Sequence, residues 1–267
     1  MPVNDALGTR MKTFYEQVPK FKLYRRTPVA IRIDGKAFHT FTRGFQKPFD
    51  GVLGNAMVRT MEYLCQNIQG CVFGYTQSDE ITLILVDYQK LTSCAWFDYE
   101  IQKVCSIAAS MATMAFNKFF AEEVYNWEFA NVTFLRDFVD EEPTVEDEMI
   151  AEVYRRAAEK GAMFDARCFN IPKEEVTNLI YWRQLDATRN SIQMVGQAYF
   201  SHNELQEKTC SMIQDMLHEK YGINWNDYLI RWKRGVSWTR DIGIDYEMPI
   251  LKGDGRAYVD ELIYVGE

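Results

Sequence analysis

Two short runs of apolar and β-branched residues, each carrying acids, constrain the possible folds of this chain most. The first run covers residues 30–35 and contains Asp34 and Gly35, and the second covers residues 74–85 and contains Asp79 and Glu80. Both runs alternate as β-strands do, so the acids are expected on a sheet rather than on a loop. We predict that Asp34 and Asp79 meet at one site for a divalent metal.

Magnesium is the ion that these residues suit. Mg²⁺ prefers hard oxygen ligands, commonly one or two carboxylates together with phosphate oxygens and water. Asp34 and Asp79 would supply carboxylates, and Gly35, which has no side chain, would let its own carbonyl and a nucleotide come close. Two ions held in this way stabilise both the attacking and the leaving oxygen of a phosphoryl transfer. The alternative is structural, since Asp-Gly also favours a type I′ hairpin and Ser-Asp-Glu a solvated turn.

The order of the predicted elements is that of a ferredoxin-like palm. Helical spacing of apolar residues predicts helices over 56–68 and 96–120, and strand patterns predict a hairpin over 71–86 and a strand over 163–171. This order predicts an α+β fold, in which an antiparallel sheet carries two helices on one face. The fold is also the palm of polymerases and nucleotidyl cyclases, and it places the end of the first strand beside the central hairpin.

The chain is predicted to have two parts. Residues 1–172 form the catalytic palm, with an N-terminal helix capped by Asn4 or Asp5. Residues 137–160 form an acidic insertion in which Thr144 caps a helix that ends near Lys160. Residues 173–267 form a mostly helical part packed on the palm, with Gly222 ending one of its helices.

Composition narrows the range of partners. A net charge of −8 argues against indiscriminate binding to nucleic acid, although a local basic patch is sufficient for RNA. We predict this patch at residues 231–240, where Arg231, Lys233 and Arg234 lie among tryptophans that could stack on a base. The alternative is an edge hairpin whose tryptophans face the core.

Cysteine usage and the N-terminal sequence bear on the cellular location. The six cysteines contain no Cys-x-x-Cys pair and only three histidines accompany them, so neither a zinc site nor a disulfide framework is expected. The first residues show no basic and apolar leader, and no window has ~18 uninterrupted apolar residues. We therefore expect a cytoplasmic protein without a membrane partner.

An ordered series of motifs resembles those of the histidine tRNA guanylyltransferase superfamily. The motifs are residues 32–41, 44–50, 77–80, 164–167, 181–186 and 221–228, so the resemblance covers about residues 5–240. It implies a Mg²⁺-dependent nucleotidyltransferase that extends the 5′ end of tRNA in the 3′ to 5′ direction, uses ATP and GTP, and assembles as a tetramer. Residues 186–192 depart from the eukaryotic motif and are similar to the guanylyltransferase-like branch, which implies template-dependent repair of 5′-truncated tRNA.

The resemblance also implies roles for single residues. Asp34, Asp79 and Glu80 would be catalytic, and two Mg²⁺ ions would be held by Asp34, Gly35 and Asp79. The residues expected to contact a nucleotide are Lys36, Ala37, Phe38, His39, Lys47, Asp50, Ser78 and Lys103. The residues expected to contact RNA, beside the basic patch, are Arg183, Arg189 and Asn190. An alternative remains for two of these residues. His39 could be a hydrogen-bonded structural histidine, and Lys103 could be an exposed helix lysine without a ligand.

Two other functions stay open at this point. A nucleotidyl cyclase-like palm would carry similar acids, and it would make a cyclic product from ATP or GTP without RNA. A palm that has lost catalysis and only binds RNA would not need the metal acids.

Overall fold

The structure is a computed structural model that describes residues 5–136 and 141–265. The helices are α1 (Ala6–Met11), α2 (Phe38–Phe41), α3 (Gly51–Asn67), α4 (Ile101–Glu128), α5 (Val145–Lys160), α6 (Lys173–Tyr199), α7 (His202–Leu205), α8 (Cys210–Tyr221), α9 (Ile230–Arg234) and α10 (Ala257–Ile263). The strands are β1 (Val29–Gly35), β2 (Cys71–Gln77), β3 (Glu80–Leu85), β4 (Phe164–Asn170), β5 (Val236–Thr239) and β6 (Gly243–Asp245).

The strands form one six-stranded antiparallel sheet in the order β4-β1-β3-β2-β5-β6. Strands β1 to β4 alternate in the chain with α3 and α4, and they lie in the sheet in the ferredoxin-like order β4-β1-β3-β2. The predicted palm is therefore confirmed. In the register, Asp34 at the end of β1 lies opposite Glu80 of β3 and Asp165 of β4. The predicted acids therefore gather at one end of the sheet.

Helices α3 and α4 cover one face of this sheet. Apolar residues recur at helical spacing on α3, and those that are buried, such as Met57, Met61 and Leu64, pack in one cluster with Ile31 and Ile33 of β1. Ala108 and Ala112 of α4 belong to the same cluster, and their small side chains let α4 lie close to the sheet. The two helices expected on one face are both present.

Helices α6 and α10 cover part of the opposite face. Val176 and Ile180 of α6 pack with Ala30 and Ile84 of the sheet, and Val259 of α10 joins the same cluster. The central strand β3 is buried along its whole length because helices cover both of its faces.

The C-terminal part does not consist of helices alone. Strand β5 pairs with β2, with Phe73 opposite Thr239, and β6 continues the sheet beyond β5. This part is mostly helical, as predicted, and two of the six strands also come from it. Both strands are short, at four and three residues, and they form the edge hairpin that was the alternative to a basic patch.

The two capped helices outside the palm core agree with the prediction. The Thr144 hydroxyl accepts a hydrogen bond from the Asp147 amide at 3.1 Å, and α5 ends at Lys160. Asp5 caps α1 by accepting from the Gly8 amide. The alternative cap Asn4 and residues 137–140 of the acidic insertion lie outside the described residues.

One helical stretch, Ile101–Thr133, is long and apolar enough to cross a membrane by length and composition alone. Phe116 and Phe120, which lie in it, are buried in the core under the sheet. Core helices of soluble proteins pass the same test, so the stretch is weak evidence for a membrane span.

Candidate active site

The end of β1 meets the turn of the β2–β3 hairpin. The hairpin turns at Ser78 and Asp79, where Ser78 adopts a left-handed conformation with φ 50°. The Gly35 amide donates a hydrogen bond to the Asp79 carbonyl at 3.1 Å. Asp34 and Asp79 are therefore held by adjoining backbone segments, as the sequence predicted.

The carboxylates of Asp34 and Asp79 lie among other acids, and Arg167 and Arg32 compensate the charge of Asp34 only in part. Burial raises the pKa of Asp79, and the neighbouring Asp34 carboxylate raises it further. Burial also raises the pKa of Asp34, as do Glu80 and Asp165. Within the described residues, no group donates a hydrogen bond to the Asp34 carboxylate, whereas Asp79 accepts one from the Ser78 hydroxyl at 3.1 Å. Two crowded carboxylates with so few donors would be stabilised by a bound cation.

The donor set fits magnesium. Two carboxylates and a backbone carbonyl are hard oxygen ligands, and substrate phosphates and water commonly complete such a set. Among the described residues, no three or more His, Cys, Asp or Glu side chains are grouped to hold a metal ion. An ion at Asp34 and Asp79 would therefore depend on the nucleotide for part of its coordination, as is usual for Mg²⁺.

Gly35 is required by its neighbour Phe38. A Cβ atom added at residue 35 would lie 2.2 Å from the Phe38 ring. That ring is itself fixed, because it packs against Phe41, Phe116 and Phe164 with ring centroids 5.1–5.5 Å apart. The absence of a side chain at residue 35 thus lets the strand end pass directly over the aromatic core.

A cavity of ≈ 520 Å³ opens beside these acids. Its lining includes six of the eight residues predicted to contact a nucleotide: Ala37, Phe38, His39, Lys47, Asp50 and Ser78. Of the three predicted metal ligands, Gly35 and Asp79 line it and Asp34 does not. The cavity brings Lys47 and the carboxylate of Asp79 into one space, which suits a ligand that carries both phosphates and a metal ion. Met194 and Gln197 of α6 also line it, and no sequence motif pointed to them.

Two predicted nucleotide contacts lie away from this cavity. The Lys36 side chain is exposed and is not part of the lining, although its amide donates to the Met163 carbonyl at 2.8 Å. Thr113 of α4 marks the cavity end of the sheet, since its hydroxyl accepts from the Phe164 amide. Lys103 lies ten residues before Thr113, which is about 15 Å along the helix axis and away from that end. The Lys103 ammonium instead lies 4.9 Å from the Phe97 ring.

Asp50 shapes the cavity through bonds within the protein. Its carboxylate accepts hydrogen bonds from the Gln46 amide at 3.0 Å, the Leu53 amide at 2.8 Å and the Tyr154 hydroxyl at 2.6 Å. The first two bonds cap α3 and hold the preceding loop. The predicted contact with a nucleotide stays a prediction, and the structure adds a positioning role for this residue.

Glu80 does not face the cavity. Its carboxylate is buried, with a residue exposure of 6%, and its Oε2 accepts from Arg32 at 2.6 Å and from Arg183 at 2.9 Å. Register pairs Glu80 with Asp34, so both side chains lie on the sheet face under α6, and neither residue belongs to the cavity lining. The catalytic role expected for Glu80 stays a prediction, and the structure adds a structural role for it. Arg183, expected to contact RNA, is equally buried and has its charge compensated by Glu80 and Asp186.

The predicted basic patch is partly buried. Arg231 donates to the Asn55 side chain at 2.9 Å, and burial lowers the pKa of Arg231. The next residue, Trp232, stacks on Phe49 with ring planes 2° apart. Lys233 donates to the Asn226 carbonyl at 2.6 Å. Trp238 faces the core, as the alternative predicted.

The other residues predicted to contact RNA lie in three different environments. Asn190 and Arg231 line a smaller cavity of ≈ 90 Å³ that shares Asp50 and Ser78 with the larger one. The Nε of Arg234 is buried and lacks a hydrogen-bond partner among the described residues. Arg189 is exposed and pairs with Asp186 on its own helix.

Comparison with known proteins finds likeness over nearly the whole chain. The model of the family described as tRNAHis guanylyltransferase matches residues 8–172. A bacterial tRNA(His) guanylyltransferase-like protein solved in complex with ATP is 39% identical, with a TM-score of 0.78 over 97% of this chain and 100% of that one. Another such structure, in complex with GTP, is 34% identical with a TM-score of 0.69 and the same coverage. The tRNA(His) guanylyltransferase of Schizosaccharomyces pombe is 25% identical over 86% of this chain and 81% of its own.

Proposed function

Because this chain belongs to the tRNA(His) guanylyltransferase family and is a tRNA nucleotidyltransferase, we propose that it adds nucleotides to the 5′ end of tRNA in the 3′ to 5′ direction. The reaction would require Mg²⁺ and use ATP and GTP as substrates. The observation that carries this proposal is the junction of β1 with the β2–β3 turn, where the Gly35 amide donates to the Asp79 carbonyl and both residues line a cavity together with Lys47. The ATP and GTP complexes of the two bacterial relatives support nucleotide binding at such a cavity.

Each residue of the site has a definable task. Asp34, Asp79 and the carbonyl of Gly35 would hold two Mg²⁺ ions, which when bound supply charge stabilisation for the attacking and leaving oxygens. Lys47 presents a compact ammonium that suits a triphosphate. The Gly35–Asp79 hydrogen bond keeps the two carboxylates in place before substrate arrives, so little reorganisation is needed during the reaction.

In the reaction, the 3′-hydroxyl of an incoming nucleotide attacks the activated 5′ end of the RNA. A 5′-monophosphate is first adenylylated by ATP, which releases pyrophosphate, and AMP then leaves on attack. Alternatively, a 5′-triphosphate is used directly and pyrophosphate leaves on attack. The proposal assigns the triphosphate to the side of the cavity formed by Lys47 and Ser78, next to the carboxylates.

The substrate that we propose is 5′-truncated tRNA, repaired by templated addition. Support comes from residues 186–192, which are similar to the guanylyltransferase-like branch. They form an unbroken part of α6, and Asp186 in this segment binds Arg183 and Arg189.

The experiment that tests this function uses a tRNA lacking its first nucleotide, labelled nucleotides and Mg²⁺. We expect addition of the nucleotide that pairs with the opposing base, and a change of the opposing base should change the nucleotide added. Addition of G regardless of the opposing base would overturn the repair assignment. A cyclic product from ATP or GTP alone, without extension of RNA, would overturn the transferase assignment in favour of a cyclase.

We also propose a cytoplasmic homotetramer. Support for assembly comes from α1 and from residues 12–18, which continue it, where Leu7, Phe14, Tyr15 and Val18 are each at least 60% exposed. A run of apolar side chains without cover is typical of an interface. Light scattering of the purified protein would measure the mass in solution, and a monomer would contradict the tetramer.

A further inference from the structure

The sheet face beside Asp34 carries two arginines and a tryptophan that the proposed function does not use. Arg32 precedes Asp34 by two residues on β1, so both side chains leave the same face about 7 Å apart along the strand. Arg167 of the edge strand β4 is the register partner of Arg32. Trp182 of α6 approaches them, with its ring 5.5 Å from the Arg32 guanidinium.

This corner of the face is open to solvent. Trp182 is 52% exposed and the side chain of Arg167 is 56% exposed. The only ion-pair partner of Arg167 within the described residues is Asp165 at 3.2 Å, whose side chain is itself 61% exposed. Exposed pairs of this kind contribute little stability, so the guanidinium is easily transferred to a phosphate.

The Trp182 ring is held in position by a buried network. The Arg183 guanidinium lies 3.7 Å from the ring. Arg183 and Arg32 both donate to the same oxygen of Glu80, a residue that is 6% exposed and directly follows the metal-site residue Asp79. The ring is therefore fixed relative to the acids, while half of its surface remains available.

We propose that the 5′-terminal base of the RNA stacks on Trp182 while its 5′-phosphate lies at Asp34 and Asp79, and that Arg167 contacts the next backbone phosphate. This inference rests on the proposed function, since it assumes that the RNA end reacts at these carboxylates. An indole suits the task because every base has a π-face. A stacking platform accepts any terminal base, which is what templated addition at different tRNA ends requires.

The test compares a tRNA lacking its first nucleotide with the same RNA carrying an abasic residue at its 5′ terminus. Trp182→Ala should weaken binding of the first RNA about 5- to 150-fold, the effect of losing one base–aromatic stack. The abasic RNA has no terminal base to stack, so Trp182→Ala should bind it as tightly as the wild type does. Trp182→Phe keeps an aromatic face and should bind both RNAs within about threefold of the wild type.

ATP binding provides the control for folding, since the cavity lies across the strand end from Trp182 and its affinity should not change. Tyr125→Ala removes a side chain of similar kind that is 69% exposed on α4, and RNA binding should be unaffected. Arg167→Gln should weaken binding of both RNAs and reduce its salt dependence by about one phosphate contact. Arg156→Gln, a cation 67% exposed on α5, should do neither.

The outcomes separate this inference from the proposed function. If Trp182→Ala lowers the affinity for both RNAs equally, or for neither, the stacking role is overturned. The proposed function stands in that case, provided that the wild-type enzyme extends tRNA. Failure of the wild-type protein to extend the truncated tRNA would overturn the proposed function itself, whatever the variants do.

Discussion

Glu80 accepts a hydrogen bond from Arg183 at 2.9 Å, across 103 positions in the chain. This contact joins the hairpin that carries Asp79 to helix α6, which also lines the nucleotide cavity with Met194 and Gln197. Since Arg32 of β1 donates to the same oxygen, one buried carboxylate connects three elements of the site. The C-terminal part is in this way coupled to the position of the metal acids.

Replacement of Asp34 or Asp79 by Asn should abolish Mg²⁺-dependent addition to a truncated tRNA. An amide removes one negative charge from the pair that would hold the ions, whereas the shape of the side chain is kept. Thermal unfolding in the absence of Mg²⁺ should show no loss of stability, because each variant relieves repulsion between crowded acids.

Asp241→Asn is the matched control, since this aspartate is exposed and is not part of the cavity lining. It should retain wild-type activity. Activity that persists in both Asp34→Asn and Asp79→Asn would contradict the metal assignment.

The palm and the meeting of its acids could be predicted because the signals are local. Residues 31–35 alternate between buried and less buried positions, and Met57, Met61 and Leu64 repeat with helical spacing. Both patterns report on which face of an element is buried, and the ferredoxin-like order then determines which strand ends adjoin.

The role of Glu80 could not be predicted because it depends on a partner distant in sequence. The motif places Glu80 beside Asp79 in the sequence. The strand register and the packing of α6 are needed to show that the Glu80 side chain lies under that helix and pairs with Arg183. Strands β5 and β6 were foreseen only as an alternative, an edge hairpin at residues 231–240. Strand β5 is fixed by its pairing with β2, which lies about 160 residues earlier, so no local pattern favoured this alternative.

Glu80→Ala should lower the free energy of unfolding by about 3 kcal/mol, the lower end of the usual cost of breaking a buried ion pair. Arg32 and Arg183 would lose their shared acceptor, although Asp186 still pairs with Arg183 at 3.4 Å. Activity should fall as well, since the Asp79 hairpin would no longer be tied to α6. Denaturant unfolding measures the first effect, and kcat against KM for tRNA measures the second.

For comparison, Glu219→Ala removes an exposed acid on α8 and should change stability by less than about 0.5 kcal/mol. Equal stabilities of the Glu80 and Glu219 variants would show that the Glu80 network contributes nothing.

Asp50→Asn should destabilise the protein by about 1 to 3 kcal/mol, since the amide nitrogen cannot accept from the Gln46 backbone. The effect should depend on pH. Burial raises the pKa of Asp50 in the folded protein, so its contribution is present in full below the unfolded pKa and declines as the pH rises through the folded pKa. Asn does not titrate, and the wild type should therefore exceed the variant by more at about pH 4 than at about pH 7. A difference that grows toward neutral pH would contradict this sign.

Gly35→Ala should damage both folding and activity, because the new Cβ would lie 2.2 Å from the Phe38 ring. Overpacking of this kind costs about 1 to 3 kcal/mol, and here the strand end can yield only by moving away from the Asp79 carbonyl. Gly51→Ala is the matched control, since an added Cβ there meets no atom within 4 Å. Denaturant unfolding and tRNA extension should be close to wild type for Gly51→Ala and impaired for Gly35→Ala. A Gly35→Ala enzyme as stable and active as Gly51→Ala would show that the strand end does not need to pass this closely over Phe38.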